Sequence, residues 1–200
     1  MKDLFVLVAD ESMEKTVQTI LEKRRESLGI KNITKNIMPH PLKDPGVYSQ
    51  GVEFCRNFQR EYAKFIIILD FKFSGSQRSP EEMREEMIDK AKSCGFSDNN
   101  FEIIVISPEL EAWIWKSRRH MASLVGWDEG KLNDWLKKTF NLHNNKPKNP
   151  KEVYLELLRV SRTQKSSDNF SKMAGIIGFK DCQDPAFNSF QAILLKWFKA

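Results

Sequence analysis

Short runs of consecutive apolar residues alternate with helix-like stretches in the first half of the chain. The runs are LFVLVA (4–9), KFIIIL (64–69) and FEIIVI (101–106), and a weaker alternating segment, KNITKNIMP (31–39), follows the first of them. Such aliphatic runs predict strands, and the unbroken run at 64–69 predicts a strand covered on both faces. Because helical stretches separate the strands, the pattern predicts an α/β fold with a mostly parallel sheet flanked by helices.

Helices are predicted between these strands by apolar spacing and by end signals. Residues 11–29 and 47–62 carry apolar side chains at helical intervals, and the turn-rich segment HPLKDPG (40–46) precedes the second of them. A strong helix start stands at Ser79, where an N-cap serine is followed by proline and glutamate. The same Ser-Pro-Glu sequence at Ser107 predicts another helix start at that position.

The C-terminal part has helical patterns without further strands. Four helical segments are predicted, separated at one point by the basic loop NNKPKNP: DEGKLNDWLKKTFNL (128–142), NPKEVYLELLRV (149–160, capped by Asn149 with Glu152 at the capping-box position), FSKMAGIIGF (170–179) and DPAFNSFQAILLKWF (184–198). The expected organisation is therefore an α/β core over residues 1–120 and a basic helical subdomain over 121–200, packed on that core.

Charge is divided unequally along the chain. Residues 1–111 contain 16 Lys and Arg against 19 Asp and Glu, whereas residues 112–200 contain 16 against 8. A basic half suits a polyanionic partner such as nucleic acid, although a solvated basic surface would show the same excess. The candidates for phosphate contact are Arg118, Arg119, Lys146, Lys148 and Lys151.

Cysteine content and hydropathy narrow the class of protein. The three cysteines are far apart and form no CxxC pair, so neither a disulfide framework nor a zinc site is indicated. No apolar run approaches the roughly 20 residues that a membrane span needs, and the N-terminus does not resemble a signal peptide. We expect a cytoplasmic protein without a membrane partner.

Acidic residues follow three of the predicted strands. Asp10 comes after the first strand, Asp70 closes the run at 64–69, and Glu109 and Glu111 follow the last strand. Parallel strands direct their carboxyl ends to one edge of the sheet, so these side chains are expected to converge. Converging carboxylates repel one another unless a hard cation lies between them, which favours Mg²⁺ or Mn²⁺ over zinc.

Each acid also has a purely structural interpretation. Asp10 is placed to cap the first helix, as strand-ending aspartates often do. Glu109 and Glu111 are expected in or near the first turn of a helix, where the macrodipole favours negative charge. Asp70 has no obvious helix to cap. The sequence alone leaves these alternatives open.

Several motifs resemble the Toprim superfamily. The stretches LFVLVADESMEKTVQTIL and KFIIILDF resemble the two acid-bearing strands of a Toprim domain, and SPELEAWIW is similar to the Pro-x-x-Glu-x-Trp motif of compact, defence-associated RloB-like Toprim proteins. The resemblance implies a Toprim-like, Rossmann-like fold and maps the motif glutamate onto Glu111. It also implies a metal site at Asp70 and Glu111, with Asp10 and Glu109 as further candidate ligands.

The motifs depart from the family pattern at two places. The family usually has Glu-Gly after the first strand, where this chain has Ala9-Asp10-Glu11, so the first acid would be Asp10 or Glu11. The family's Asp-x-Asp pair is here Asp70-Phe71-Lys72. Lys72 would point into solvent, or its ammonium would take the place of a cation beside a phosphate.

The resemblance supports two functional hypotheses, and the scaffold allows a third. The first is a Mg²⁺- or Mn²⁺-dependent nuclease, or nuclease subunit, in prokaryotic anti-phage defence, with Asp10, Glu11, Asp70, Lys72 and Glu111 as candidate catalytic residues. The second is a catalytically silent component that binds nucleic acid or another protein of a defence system. The third is a small-molecule phosphotransferase. A homodimer is compatible with each.

Overall fold

A four-stranded parallel sheet forms the centre of the molecule. The structure is a computed structural model that describes residues 1–140, 142–143, 146–176, 178, 182 and 184–200. The strands are β1 (Lys2–Val8), β2 (Lys35–Pro39), β3 (Tyr62–Asp70) and β4 (Phe101–Ile106), in the spatial order β2-β1-β3-β4 with every neighbouring pair parallel. Residues 65–70 of β3 are all buried. The predicted α/β class and the two-sided cover of β3 are confirmed.

Ten helices surround the sheet in the part of the chain that the structure describes. They are α1 (Glu11–Lys23), α2 (Arg25–Leu28), α3 (Lys43–Arg56), α4 (Pro80–Ser93), α5 (Glu111–Ile114), α6 (Arg118–Leu124), α7 (Glu129–Thr139), α8 (Pro150–Ser161), α9 (Ser167–Ile176) and α10 (Pro185–Phe198). Of the C-terminal helices, α8 packs against α5, α9 packs along α1 and α10 packs against β4. None of the described helices is long and apolar enough to cross a membrane.

The predicted start of α4 is confirmed in atomic detail. The Ser79 hydroxyl accepts a hydrogen bond from the Glu82 backbone N–H at 3.2 Å, and the Glu82 carboxylate accepts one from the Ser79 N–H at 2.8 Å. This reciprocal pair is a capping box, and it satisfies two backbone donors at the exposed helix end.

The identical signature at Ser107 does not start a helix. The Ser107–Pro108 peptide bond is cis, and the helical segment there, α5, begins at Glu111. Glu109 does not cap its own segment, because its carboxylate accepts a hydrogen bond from the backbone N–H of Lys151 at the start of α8. A tertiary contact therefore overrides the local capping signal, and the predicted helix start at Ser107 is wrong. Glu111 is in the first turn of α5, and Glu109 lies two residues before that helix.

Three other boundaries differ from the sequence prediction. Helix α3 begins at Lys43, inside the segment predicted to be a turn, because proline and acidic residues suit the first turn of a helix as well as they suit a loop. The predicted Asn149 side-chain cap of α8 is not formed. A short antiparallel pair, β5 (Leu142–His143) with β6 (Lys146–Pro147), lies where only helices and a loop were expected.

Two tryptophans join the C-terminal helices to the segment that follows β4. Trp113 is buried, as predicted, and its indole N–H donates to the Asp184 carboxylate at 3.1 Å. The indole N–H of Trp115 donates to the backbone carbonyl of Pro150 at 2.8 Å. Both hydrogen bonds are buried, so they fix the position of α5 relative to the starts of α8 and α10.

Candidate acidic active site

Asp70 lies at the centre of the carboxyl edge of the sheet and joins three segments. Its carboxylate accepts a hydrogen bond from the backbone N–H of Leu110 at 2.8 Å, in the segment after β4. Its own backbone N–H donates to the carboxylate of Asp44, in the first turn of α3, at 2.7 Å. Asp70 is 6% exposed and Asp44 is 8% exposed. The end of β3 and the first turn of α3 therefore bring two buried carboxylic acids near each other.

Asp44 is the site residue that the sequence analysis missed. It stands in HPLKDPG, where the density of turn-forming residues concealed the start of α3. A usable signal was present, because α3 follows β2 and its first turn is therefore at the carboxyl edge of the parallel sheet. An acid followed directly by proline is a recognisable helix start.

Glu111 completes the buried acidic group from the next segment. It is the first residue of α5 and is 6% exposed. Burial raises the pKa of its carboxyl to about 7, and the negative charges of Glu109 and Asp10 act in the same direction. No side chain of the described residues donates a hydrogen bond to the Glu111 carboxylate or forms an ion pair with it.

The charges in this group act on one another. Burial raises the pKa of Asp70 well above its usual range, and the charges of Asp44, Glu111 and Asp10 raise it further. Burial likewise raises the pKa of Asp44, with a further contribution from Asp10. We call Asp10, Asp44, Asp70 and Glu111 the acidic cluster. The charge of Asp10 acts on both Asp70 and Glu111, and the charge of Glu111 acts on Asp70.

The side chains of Asp10 and Glu11, the two acids that follow β1, lie in different surroundings. Asp10 is the N-cap of α1, where its carboxylate accepts from the Met13 backbone N–H at 3.0 Å, and its charge also acts on the other members of the acidic cluster. Glu11 is exposed and accepts a hydrogen bond from the Ser167 hydroxyl at 3.0 Å, at the start of α9. Of the two candidates for the first family acid, Asp10 is the one at the cluster.

Glu109 and Lys72 form a second group, in which charge is compensated. Glu109 is fully buried, and its carboxylate accepts from the Lys151 N–H at 2.9 Å while its other oxygen lies 3.9 Å from the Lys72 ammonium. Lys72 also forms an ion pair with Glu152 of α8. Lys72 is thus paired with two carboxylates. We call Lys72, Glu109 and Glu152 the paired group.

The structure describes the side chains of four of the five basic candidates. Lys151 is near the acids, since its charge lowers the pKa of Asp44, Asp70 and Glu111. Arg118 donates to the Asn133 side chain of α7 at 2.7 Å, which joins α6 to α7. Arg119 and Lys148 are exposed. The side chain of Lys146 lies outside the described residues.

Comparison with known proteins gives a likeness of fold. No protein-family model matches the sequence, and no curated protein matches it. Among solved structures, the C-terminal region of the Burkholderia pseudomallei OLD protein is similar, with a TM-score of 0.55 and 8% sequence identity over 97% of each chain. The likeness is one of architecture. The α/β architecture is consistent with a Toprim-like fold, with its parallel sheet and helical C-terminal part.

The donor chemistry of the acidic cluster suits a divalent metal ion. Its donors are all carboxylate oxygens, which Mg²⁺ and Mn²⁺ prefer. Asp44, Asp70 and Glu111 are buried, Asp10 is half-buried, and the described side chains place no cation within ion-pair distance of them. The described part of the chain holds no group of three or more His, Cys, Asp or Glu side chains placed to bind a metal. The donor chemistry fits such an ion, whereas the side-chain positions do not already form its complete ligand set.

Proposed function

We propose that this protein is a Mg²⁺- or Mn²⁺-dependent Toprim-like nuclease, or the nuclease subunit of a larger assembly, and that it acts in prokaryotic anti-phage defence. The observation that carries the proposal is the acidic cluster, in which Asp44, Asp70 and Glu111 are each more than nine-tenths buried and form no ion pair with a cation of the described residues. Burying several carboxylates together raises the free energy of the folded state. Groups with pKa values perturbed in this way cluster at functional sites. The Toprim resemblance of the surrounding motifs supports the same activity.

Asp70, Glu111, Asp44 and Asp10 would hold the metal ion in this proposal. When bound, a divalent ion at such a site lowers the pKa of water and stabilises charge on a phosphoryl oxygen. The chain itself contributes the orientation of the ligands. The Leu110 and Asp44 hydrogen bonds fix the Asp70 side chain and backbone, so the end of β3 is held in one position.

The neighbouring residues have supporting roles. Glu109 anchors the start of α8 through the Lys151 N–H, and this contact places the Lys151 side chain beside the acids. The Lys151 ammonium can then contact a phosphate at the edge of the cluster. Arg119 and Lys148 remain candidates for contacts further along a nucleic acid.

The test is cleavage of labelled DNA and RNA by the purified chain with Mg²⁺, Mn²⁺ or EDTA. Asp70→Asn and Glu111→Gln keep the size of the side chains and remove their charge, and each should reduce metal-dependent cleavage by about 100-fold or more. Asp98→Asn is the matched control, since Asp98 is an exposed acid in the segment that leads into β4. Cleavage that survives both substitutions would show that the reaction occurs elsewhere.

One observation favours a second function, a Toprim-like component that binds nucleic acid or a partner protein without cutting. Lys72 stands where the family has its second aspartate, and it is already engaged by Glu109 and Glu152. A lysine at this position removes a metal ligand. The same scaffold would then bind without catalysing hydrolysis.

Metal titration separates the two functions. Binding of Mn²⁺ to the acidic cluster should raise the melting temperature of the wild-type chain and leave that of Asp70→Asn nearly unchanged, because a ligand of the folded state stabilises it. An identical response of both proteins to Mn²⁺ would favour the non-cutting component.

A further inference from the structure

An exposed aromatic ring lies next to the acidic cluster. Phe73 is in the segment between β3 and α4 and is 38% exposed, whereas the other large hydrophobic side chains that are exposed in the described residues are aliphatic. Exposure of a phenylalanine costs free energy that burial would recover. Phe73 has no role in the proposed nuclease reaction.

Two lysines flank the Phe73 ring. The Lys151 ammonium lies 4.0 Å from the ring centroid, and the Lys72 ammonium lies 5.7 Å from it. Lysine ammonium groups at these distances interact favourably with the ring. Two ammonium groups thus lie near the ring, and the charge of Lys151 also acts on Asp70 and Glu111.

The segment that carries Phe73 is held in place by its own hydrogen bonds. The Ser74 hydroxyl, which is buried, donates to the Phe71 carbonyl at 2.8 Å and accepts from the Ser76 N–H at 3.1 Å. The Lys72 N–H donates to the Pro108 carbonyl at 3.1 Å. These contacts fix the backbone on both sides of Phe73, so its exposure is built into the segment.

The segment SGSQR (74–78) is rich in glycine and serine, a composition whose backbone N–H groups can cradle an anion. Here the N–H groups of Ser76 and Arg78 already donate to the hydroxyls of Ser74 and Ser76. What the segment presents beside the acids is therefore an aromatic ring with flanking cations, rather than a row of free N–H groups.

We propose that Phe73 is a stacking surface for an unpaired base and that the ligand of this site is single-stranded nucleic acid. This inference rests on the proposed function for the view that the acidic cluster acts on nucleic acid, and it adds the strandedness. An aromatic ring flanked by cations is the usual combination at single-strand sites, because any base can stack on the ring while the cations attract the backbone. Bases inside a duplex are stacked on one another and cannot use the ring.

The experiment measures binding without cleavage, in EDTA, by fluorescence anisotropy of labelled DNA and RNA strands of about 12 nucleotides. Phe73→Leu removes the aromatic face and keeps an apolar side chain, and it should weaken single-strand binding roughly 5- to 100-fold. Phe73→Trp keeps an aromatic face and should bind within about threefold of the wild-type chain. A duplex of the same sequence should bind more weakly than the single strand and should not respond to Phe73→Leu.

The role of the Lys151 ammonium group is tested by comparing Lys151 with a second lysine that also lies over an aromatic ring. The Lys151 and Lys131 ammonium groups both lie over an aromatic ring, at 4.0 Å from Phe73 and 4.3 Å from Trp127. Lys151→Ala should weaken single-strand binding and reduce its salt dependence by about one counterion, since one phosphate contact is lost. Lys131→Ala should leave both unchanged.

The outcomes distinguish this inference from the nuclease proposal. Equal single-strand binding by Phe73→Leu and the wild-type chain, or duplex binding as tight as single-strand binding, would overturn the stacking role even if cleavage is observed. Binding that depends on Phe73 in a protein that never cleaves would support the stacking role and reject the nuclease. Absence of any binding would reject the stacking role.

Discussion

The acidic cluster and the paired group lie at the same edge of the sheet. They differ in whether their buried carboxylates have a cation nearby. Glu109 of the paired group is fully buried, but it receives the Lys151 N–H and faces the Lys72 ammonium. Asp70 and Glu111 of the acidic cluster are almost as buried and have no such cation within ion-pair distance in the described residues. Glu109 thus differs from Asp70 and Glu111 in charge compensation rather than in burial.

This difference separates structural acids from candidate functional ones. Removing a carboxylate from the paired group leaves its partners unsatisfied, so the group contributes to stability. Removing a negative charge from the acidic cluster relieves repulsion, so that cluster reduces stability unless a ligand is bound. This difference is tested by measuring whether each substitution raises or lowers the free energy of unfolding.

The largest expected effect is the dependence of stability on pH. Because the pKa of Glu111 is raised from 4.5 to about 7 by burial, the folded state holds a proton that the unfolded state has released between these values. Stability should therefore fall as the pH rises through this window, by an amount on the order of 3 kcal/mol for this residue. Urea unfolding of the wild-type chain and of Glu111→Gln, at acidic and alkaline pH, measures it.

The variant is also the control for this prediction. Glu111→Gln cannot titrate and should lose much less stability across the same window, while Mg²⁺ should restore stability to the wild-type chain at alkaline pH. Equal losses in the two proteins would show that Glu111 is not the group that titrates. The acidic cluster would then be no different from the paired group.

The second effect is loss of the cation in the paired group. Lys72→Met leaves the buried Glu109 carboxylate facing an apolar side chain and should destabilise the protein by about 1–2 kcal/mol, less than for a fully buried pair because Lys72 is 37% exposed. The double variant Lys72→Met with Glu109→Gln should recover part of the loss. An additive loss in the double variant would show that the two side chains do not interact.

The sequence predicted the elements whose signals are local. Strand β3 and the capping box of α4 depend on residues close together in the chain, and both were predicted. The identical signature at Ser107 failed because Glu109 is used by Lys151, 42 positions away. The start of α3 was missed because proline and aspartate are common to turns and first helical turns.

Only those parts of the site that the parallel strand topology determines could be predicted from the sequence. Placing the ends of β1, β3 and β4 at one edge was enough to bring Asp10, Asp70 and Glu111 together. Which acids would be paired with cations depends on where α8 packs, and no local pattern near Glu152 or Lys72 contains that information. Asp44 required knowing that α3 begins before Val47.

The third effect tests whether Asp44 is part of the acidic cluster, using two substitutions of opposite sign. Asp44→Asn keeps an acceptor for the Asp70 N–H and removes a charge that raises the pKa of Asp70, so it should stabilise the protein by about 1 kcal/mol at alkaline pH. Asp44→Ala leaves that buried N–H without its acceptor and should destabilise by about 1 kcal/mol. If both substitutions stabilised the protein, or both destabilised it, Asp44 would not belong to the acidic cluster. Thermal unfolding at one alkaline pH is sufficient.

The smallest effect is expected at the outer member of the paired group. Glu152 is 53% exposed on its side chain, so its ion pair with Lys72 is largely screened by solvent. Glu152→Gln should change the free energy of unfolding by less than about 0.5 kcal/mol, as for other exposed ion pairs. Glu109→Gln is the matched comparison in the same group and should cost more, because Glu109 is buried and faces the same lysine. If the two glutamine variants had equal effects, burial would not be what makes Glu109 the anchor of this edge.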